Sequence, residues 1–452
     1  MTLLKKKKFY LKNKHGFGLI ETLVGTAIFI LIAISTYQVF GILMDAVSLS
    51  RTKISATSLA NEQFEIIRNL PYVDVGIIGG MPAGKIQRTQ TLTRDNHPFL
   101  VQTTIRSVDD PFDGTIDGTP ADLSPADYKL VDLDISCPSC KLFPNLNFTT
   151  LVAPKALETA STNGALFVRV FNFEGTPIQG AQIHIVNTQT TPGITIDETT
   201  DNEGWLKIVD AIPGTEAYSI SATKSGYSTD KTYQKNGDAG PDPIKLDATV
   251  VVKQVTQLSF SIDRLSSFLV STIKPSCEII PNINFSLTGA KLIGTPSVLK
   301  YTTHNFTTNA LGQSAIPDLE WDSYLASLQE TSYDIAGTIP INPISLSPGE
   351  NKTLQIITTP HLANALLVLI KDSAGNPIDD ATVVLQKTGF EENKTTSSIG
   401  CNPPGQVFWN GLGVGTYNLT VTKAGYEISN NSINISSTPG WQNFNVTMTP
   451  QP

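Results

Sequence analysis

At 452 residues the chain exceeds what one compact core holds and calls for three or four domains of about 100–150 residues each. Charged residues make up only 16%, while Gly (33) and Pro (28) are abundant, the composition of strands joined by tight turns. The net charge of −8 conceals an asymmetry: the first sixteen residues hold six lysines (Lys5 to Lys8, Lys12, Lys14) and no acid, so 26 basic face 40 acidic residues in the remainder, or −14. Such a surface has no bulk attraction for nucleic acid, and four cysteines are too few for a disulfide-dense scaffold.

From Phe17 to Met44 the chain is apolar with one charged residue, Glu21. That length spans a bilayer core as one helix, and the preceding lysines leave the residues after Met44 outside. A secretory signal peptide would be shorter and would end at a small-residue cleavage site. Here the apolar run continues into a polar stretch, Asp45 to Asn69, without proline. The pattern predicts one helix from Phe17 to about Leu70, stopped by Pro71. A carboxylate within the apolar span costs about 2.5–3.5 kcal/mol on insertion scales and marks Glu21 as a functional candidate.

The basic segment, Gly16, Phe17 and the run Phe17-Gly18-Leu19-Ile20-Glu21 resemble the leader of type IV prepilins and pseudopilins. The resemblance implies that a prepilin peptidase cuts after Gly16, that Phe17 becomes an N-methylated terminus, and that Glu21 is the carboxylate that pairs with a neighbouring subunit's N-terminal amine. Gly18 departs from the pattern, which usually has Thr or Ser there. The implied partners are other pilin subunits through the helix, the peptidase, an inner-membrane assembly platform and, before assembly, the membrane itself. A plain single-pass anchor with one tolerated glutamate is the bland alternative.

Beyond Pro71, turn residues between Gly76 and Gly84 lead into three alternating segments, Lys85 to Thr93, Pro98 to Val108 and Asp127 to Ser136, read as antiparallel strands of a small head. Between the second and third lies a Gly-rich acidic loop with Asp109, Asp110, Asp113, Asp117, Asp122 and Asp127. Aspartate serves there first as a turn former; the alternative is a Ca2+ site, without EF-hand spacing. No other cofactor is called for. Cys137-Pro138-Ser139-Cys140 reads as a local disulfide or a pair of thiols, since no second pair or histidine cluster accompanies it. Its surroundings, Pro138-Ser139-Cys140 to Phe148, recur at Pro275-Ser276-Cys277 to Phe285.

A longer repeat relates Ala165–Ala181 to Ala365–Ala381, each with a Gly-x-Pro turn (Gly175, Pro177; Gly375, Pro377) and a later Gly-Tyr corner (Gly226, Tyr227; Gly425, Tyr426). These features resemble carboxypeptidase regulatory-like, or prealbumin-like and Cna-B-like, β-sandwich modules, with a divergent copy between them. The expected organisation is a leader (1–16), a helix (17–70), a pilin-like β head with its acidic loop (71–155), and three β-sandwiches (160–249, 250–360, 361–452). The fold class is thus mainly β with one long N-terminal α-helix.

No nucleotide loop, nucleophile elbow or metalloprotease frame is present, and the five histidines are scattered. Glu320 beside Trp321 reads as a strand boundary, not a catalytic acid. The expected function is therefore non-enzymatic: a minor, tip or low-copy subunit of a type IV pilus or related filament, its sandwiches displayed outside the cell for adhesion to an unknown surface ligand. The alternatives are a pseudopilin that primes a secretion or DNA-uptake filament, and a membrane-anchored adhesin that never assembles.

Overall fold

The computed structural model describes residues 18–112, 114–119, 122, 124–155, 161–436 and 440–451. It is mainly β with a single long helix, and it divides into two units: residues 1–78, 82–106 and 128–157, and residues 79–81, 107–127 and 158–452.

In the first unit, helix α1 runs Leu19–Arg68 without a break. Gly18, in extended backbone, is its N-cap, and the chain leaves it at Asn69 just before Pro71. Up to Arg51 no α1 side chain is buried; from there Thr52, Ser55, Ala56, Leu59, Ala60, Phe64 and Ile67 are. Steps of three and four put these on one helix face. That face meets a four-stranded sheet, β1 (Thr89–Arg94), β2 (His97–Val108), β3 (Tyr128–Ser136) and β4 (Leu146–Val152), in that order. β1 and β2 form a tight hairpin through Asp95 and Asn96, both at positive φ as this two-residue turn requires. Period-two alternation buries Phe99, Val101 and Ile105 of β2 and Val131, Leu133 and Ile135 of β3 against the helix. Each such side chain contributes about 1.5–3 kcal/mol. Lys129 is buried too, with Nζ donating to the carbonyls of Tyr72 (2.8 Å) and Val75 (2.6 Å). The fourth strand adds to the three alternating segments expected in the head.

The second unit holds three β-sandwiches. The first pairs a sheet of Val255–Ser261, Gly164–Phe171 and Trp205–Ala211 with one built on Gln182–Asn187, Ile194–Thr199 and Gly214–Thr223. Its last strand, Val255–Ser261, lies parallel to its first, Gly164–Phe171. The sandwich therefore closes past residue 249, the boundary expected from the sequence. In the second sandwich the first strand, Ser266–Ile273, is again parallel to the last, Asn351–Pro360. The third repeats the relation between Ala365–Asp372 and Trp441–Met448.

The same interior polar bonds recur in all three, including the one whose sequence diverges. A buried threonine hydroxyl accepts a backbone N–H in each: Thr200 from Ala181 (2.9 Å), Thr308 from Ile283 (3.0 Å) and Thr396 from Ala381 (2.9 Å). A wholly buried tyrosine donates to a carbonyl upstream: Tyr218 to Ile212 (2.6 Å), Tyr324 to Glu320 (2.8 Å) and Tyr417 to Gly413 (2.8 Å). A glycine at positive φ, Gly204, Gly312 or Gly405, accepts a bond from the first strand; at Gly204 and Gly405 an added Cβ would stand 2.5–2.6 Å from a first-strand carbonyl. Three copies of one module follow from these bonds more clearly than from residue identities.

Candidate functional site: the apolar stem and the sandwich joints

The half of α1 that buries nothing is the half rich in large apolar side chains. Leu19, Ile20, Phe29, Leu31 and Phe40 are each at least 60% exposed, and this is the one described helix long and apolar enough to cross a membrane. Its serine and threonine hydroxyls are satisfied within the helix: Thr22, Thr26, Ser35 and Thr36 donate to carbonyls three or four residues back, at 2.8–2.9 Å. This leaves Glu21 as the only carboxylate on the stem before Asp45. Glu21 lies in the first turn, where a helix N-terminus favours negative charge, and its Oε2 accepts a long hydrogen bond, 3.4 Å, from the Gly18 N–H. Gly16 and Phe17, expected as the cleavage position and new terminus, lie outside the described residues. Where the stem ends, Asp45 pairs with Lys141 of the head at 2.9 Å.

The acidic loop belongs to the second unit, not to the head in which the sequence placed it. Ile116 at its centre packs on Ala165, Phe167 and Val209 of the first sandwich, and Asp117 lies 3.9 Å from Lys207. Its carboxylates mostly hold the loop's own backbone. Asp109 accepts from Ile116 N–H (3.0 Å), Asp110 from Phe112 N–H (3.1 Å) and Asp122 from Ser124 N–H (2.8 Å). Burial, with the charges of Asp122, Asp127 and Asp117 adding to it, pushes the Asp109 carboxyl up to about 6. Asp113 lies outside the described residues. Among the described residues, the loop does not bring three carboxylates within 4.8 Å of one another; the one such group of metal-type ligands is His97, Cys137 and Cys140. The two sulfurs in it are bonded to each other.

The other two cysteines form a bond that the sequence did not suggest. Cys277, just past the first strand of the second sandwich, is joined to Cys401 of the third, 124 residues on. Around it the two sandwiches share a small apolar cluster of Ile273, Ala336 and Ile357 with Ile339 and Phe408. The Gln406 amide pairs with both backbone groups of Thr338 (3.1 and 2.8 Å), and Trp441 Nε1 donates to the Ile335 carbonyl at 2.7 Å. The joint between the first and second sandwiches is polar. Glu320 accepts from Lys291 (2.7 Å) and Lys300 (2.6 Å), Lys300 also reaches the Thr229 carbonyl, and Trp321 meets Phe173 edge-on. Asp242–Pro243 pairs with Gly294–Thr295 across the same joint. Glu320 is thus held between two ammonium groups in a joint, an arrangement that orients modules.

No family model matches the chain, and no curated protein does. Among solved structures the chain is similar to the Bacillus anthracis TIE protein (14% identical over 80% of this chain and 73% of that one, TM-score 0.19). It is also similar to a streptococcal ancillary pilin (10%, 64% and 99%, TM-score 0.18) and to GBS52, the minor pilin of Streptococcus agalactiae (13%, 41% and 97%, TM-score 0.17). Superpositions this loose carry no argument about function.

Proposed function

We propose that the chain is a membrane-inserted subunit of a type IV pilus or related filament, present in few copies, that carries its β-sandwiches outside the cell as an adhesive surface. The observation that carries this reading is the division of α1. Its second half buries one face in the head, while its first half, Leu19 to Met44, offers 26 residues of apolar surface with a single carboxylate, Glu21, near the start. A bilayer satisfies such a stem before assembly, and a bundle of identical stems satisfies it afterwards. A carboxylate in that bundle needs a cation. The N-terminal amine of Phe17, freed by cleavage after Gly16, supplies one on a neighbouring subunit. A prepilin peptidase and an inner-membrane assembly platform are the partners this route requires. The bulk of three sandwiches favours a minor or tip position over one repeated along a narrow fibre.

The test is the intact mass and N-terminal residue of the exported protein, made with and without the peptidase. A chain that starts at methylated Phe17 only when the peptidase is present supports the reading. An unprocessed chain in both cells leaves a membrane-anchored surface protein that does not assemble.

A further inference from the structure

The placement of Cys277 and Cys401 bears on what happens when the chain is pulled. The covalent path reaches Cys277 through the strand Ser266–Ile273, which lies inside the second sandwich between Gln313–Leu319 and Asn351–Pro360. From Cys277 the backbone continues through every remaining strand of that sandwich and the first three of the next, but the disulfide offers a shorter route, 5.4 Å from Cα to Cα, directly to Cys401.

We propose that the Cys277–Cys401 disulfide is a mechanical bypass, which carries tension past residues 278–400 and keeps the middle sandwich folded under load. Two physical points make the bypass effective. First, the only part of the middle sandwich left on the loaded path is a strand already at about 3.3 Å per residue, against a limit of about 3.3–3.6 Å. Peeling it from its sheet gains almost no length, so tension does almost no work by unfolding the module around it. Second, the joint is braced beside the bond. The Gln406 amide on Thr338, Trp441 on the Ile335 carbonyl and the Ile273–Ala336–Ile357 cluster hold the third sandwich in register with the second, so that the sulfur bridge is not the sole contact. The Cys137–Cys140 bond, three residues apart, has no comparable effect, because it closes almost no chain. The bypass concerns any anchored chain under tension and does not rest on the filament reading.

The experiment is single-molecule stretching of the full chain in detergent, held by handles at its two ends, with and without a thiol reductant. The oxidised chain is expected to reach a final length about 400–450 Å shorter than the reduced one, and to lack the rupture event of the middle sandwich. A Cys277→Ser/Cys401→Ser chain is expected to show the reduced length without reductant. This readout survives a folding defect in the variant, because the final length is that of the unfolded chain. Equal lengths in the two conditions would overturn the proposal. So would rupture of the middle sandwich in the oxidised chain at forces like those seen after reduction.

Discussion

A β-carbon on Gly337 would stand 2.3 Å from Cγ of Pro403, on the loop of the third sandwich that docks against the second. No real contact is that short, and the obstacle is a proline ring that cannot rotate away. Gly337→Ala is therefore expected to open the joint, at a cost of about 1–3 kcal/mol as for other overpacked sites. Because the disulfide still ties the two modules, the loss should appear in a denaturant titration of the reduced protein and be smaller in the oxidised one.

Thr396 is wholly buried, and its hydroxyl both accepts from Ala381 N–H at 2.9 Å and donates to the Ile378 carbonyl at 2.8 Å. Thr396→Val keeps the shape and leaves two buried backbone groups without partners. Each such group costs about 1–3 kcal/mol, so the third sandwich should lose at least about 2 kcal/mol. Thr308→Val in the middle sandwich orphans one backbone group, the Ile283 N–H, because there Thr272 holds the carbonyl of Ile280, so its loss should be smaller, about 1–3 kcal/mol. Thermal unfolding of each variant checks both.

The raised carboxyl of Asp109 predicts a pH dependence with a definite sign. Its folded value of about 6 lies above its ordinary 3.8, so the native state holds the proton more tightly. The acidic loop is then most stable below about pH 4 and loses stability as the pH rises to about 6. The group is partly solvated, and the loss is about 1 kcal/mol once screening is allowed for. Asp109→Asn should flatten stability across that window in a melting series. Added Ca2+ tests the metal reading on the same pair: a calcium site in the loop raises the melting point of the parent chain and not that of the variant.

Glu21→Gln removes the charge and little else, since the side chain bonds only Gly18 N–H. Membrane insertion should be retained or improved, because the charge is the costly part. Incorporation into sheared filaments should fall tenfold or more. Immunoblots of membrane and filament fractions separate the two effects. Equal incorporation of variant and parent would remove Glu21 from assembly.

What could be read from the sequence was what depends on neighbours along the chain. An apolar run without breakers and Pro71 placed α1 to within two residues at each end, and alternation found β2 and β3. The Gly-x-Pro turns exposed the first and third sandwiches. The features missed depend on distant partners. Val255–Ser261 completes the first sandwich only by lying beside a strand some 90 residues earlier. Ile116 is one apolar residue in an acidic loop, and nothing local says that it docks on Val209. The two copies of the Pro-Ser-Cys string look alike, yet Cys140 bonds its neighbour Cys137 and Cys277 bonds Cys401. Only the fold distinguishes them.

The parallel pairing of first and last strands matters for how such a chain changes over generations. A module whose entering and leaving strands point the same way receives the chain at one end and releases it at the other. A copy inserted in tandem, or one deleted, therefore lengthens or shortens the projection by a whole step without reversing the modules beyond it. Gene duplication can thus add or remove a module while leaving the modules on either side of it unaltered. The middle sandwich, which keeps the interior bonds of its neighbours under a divergent sequence, fits such a history.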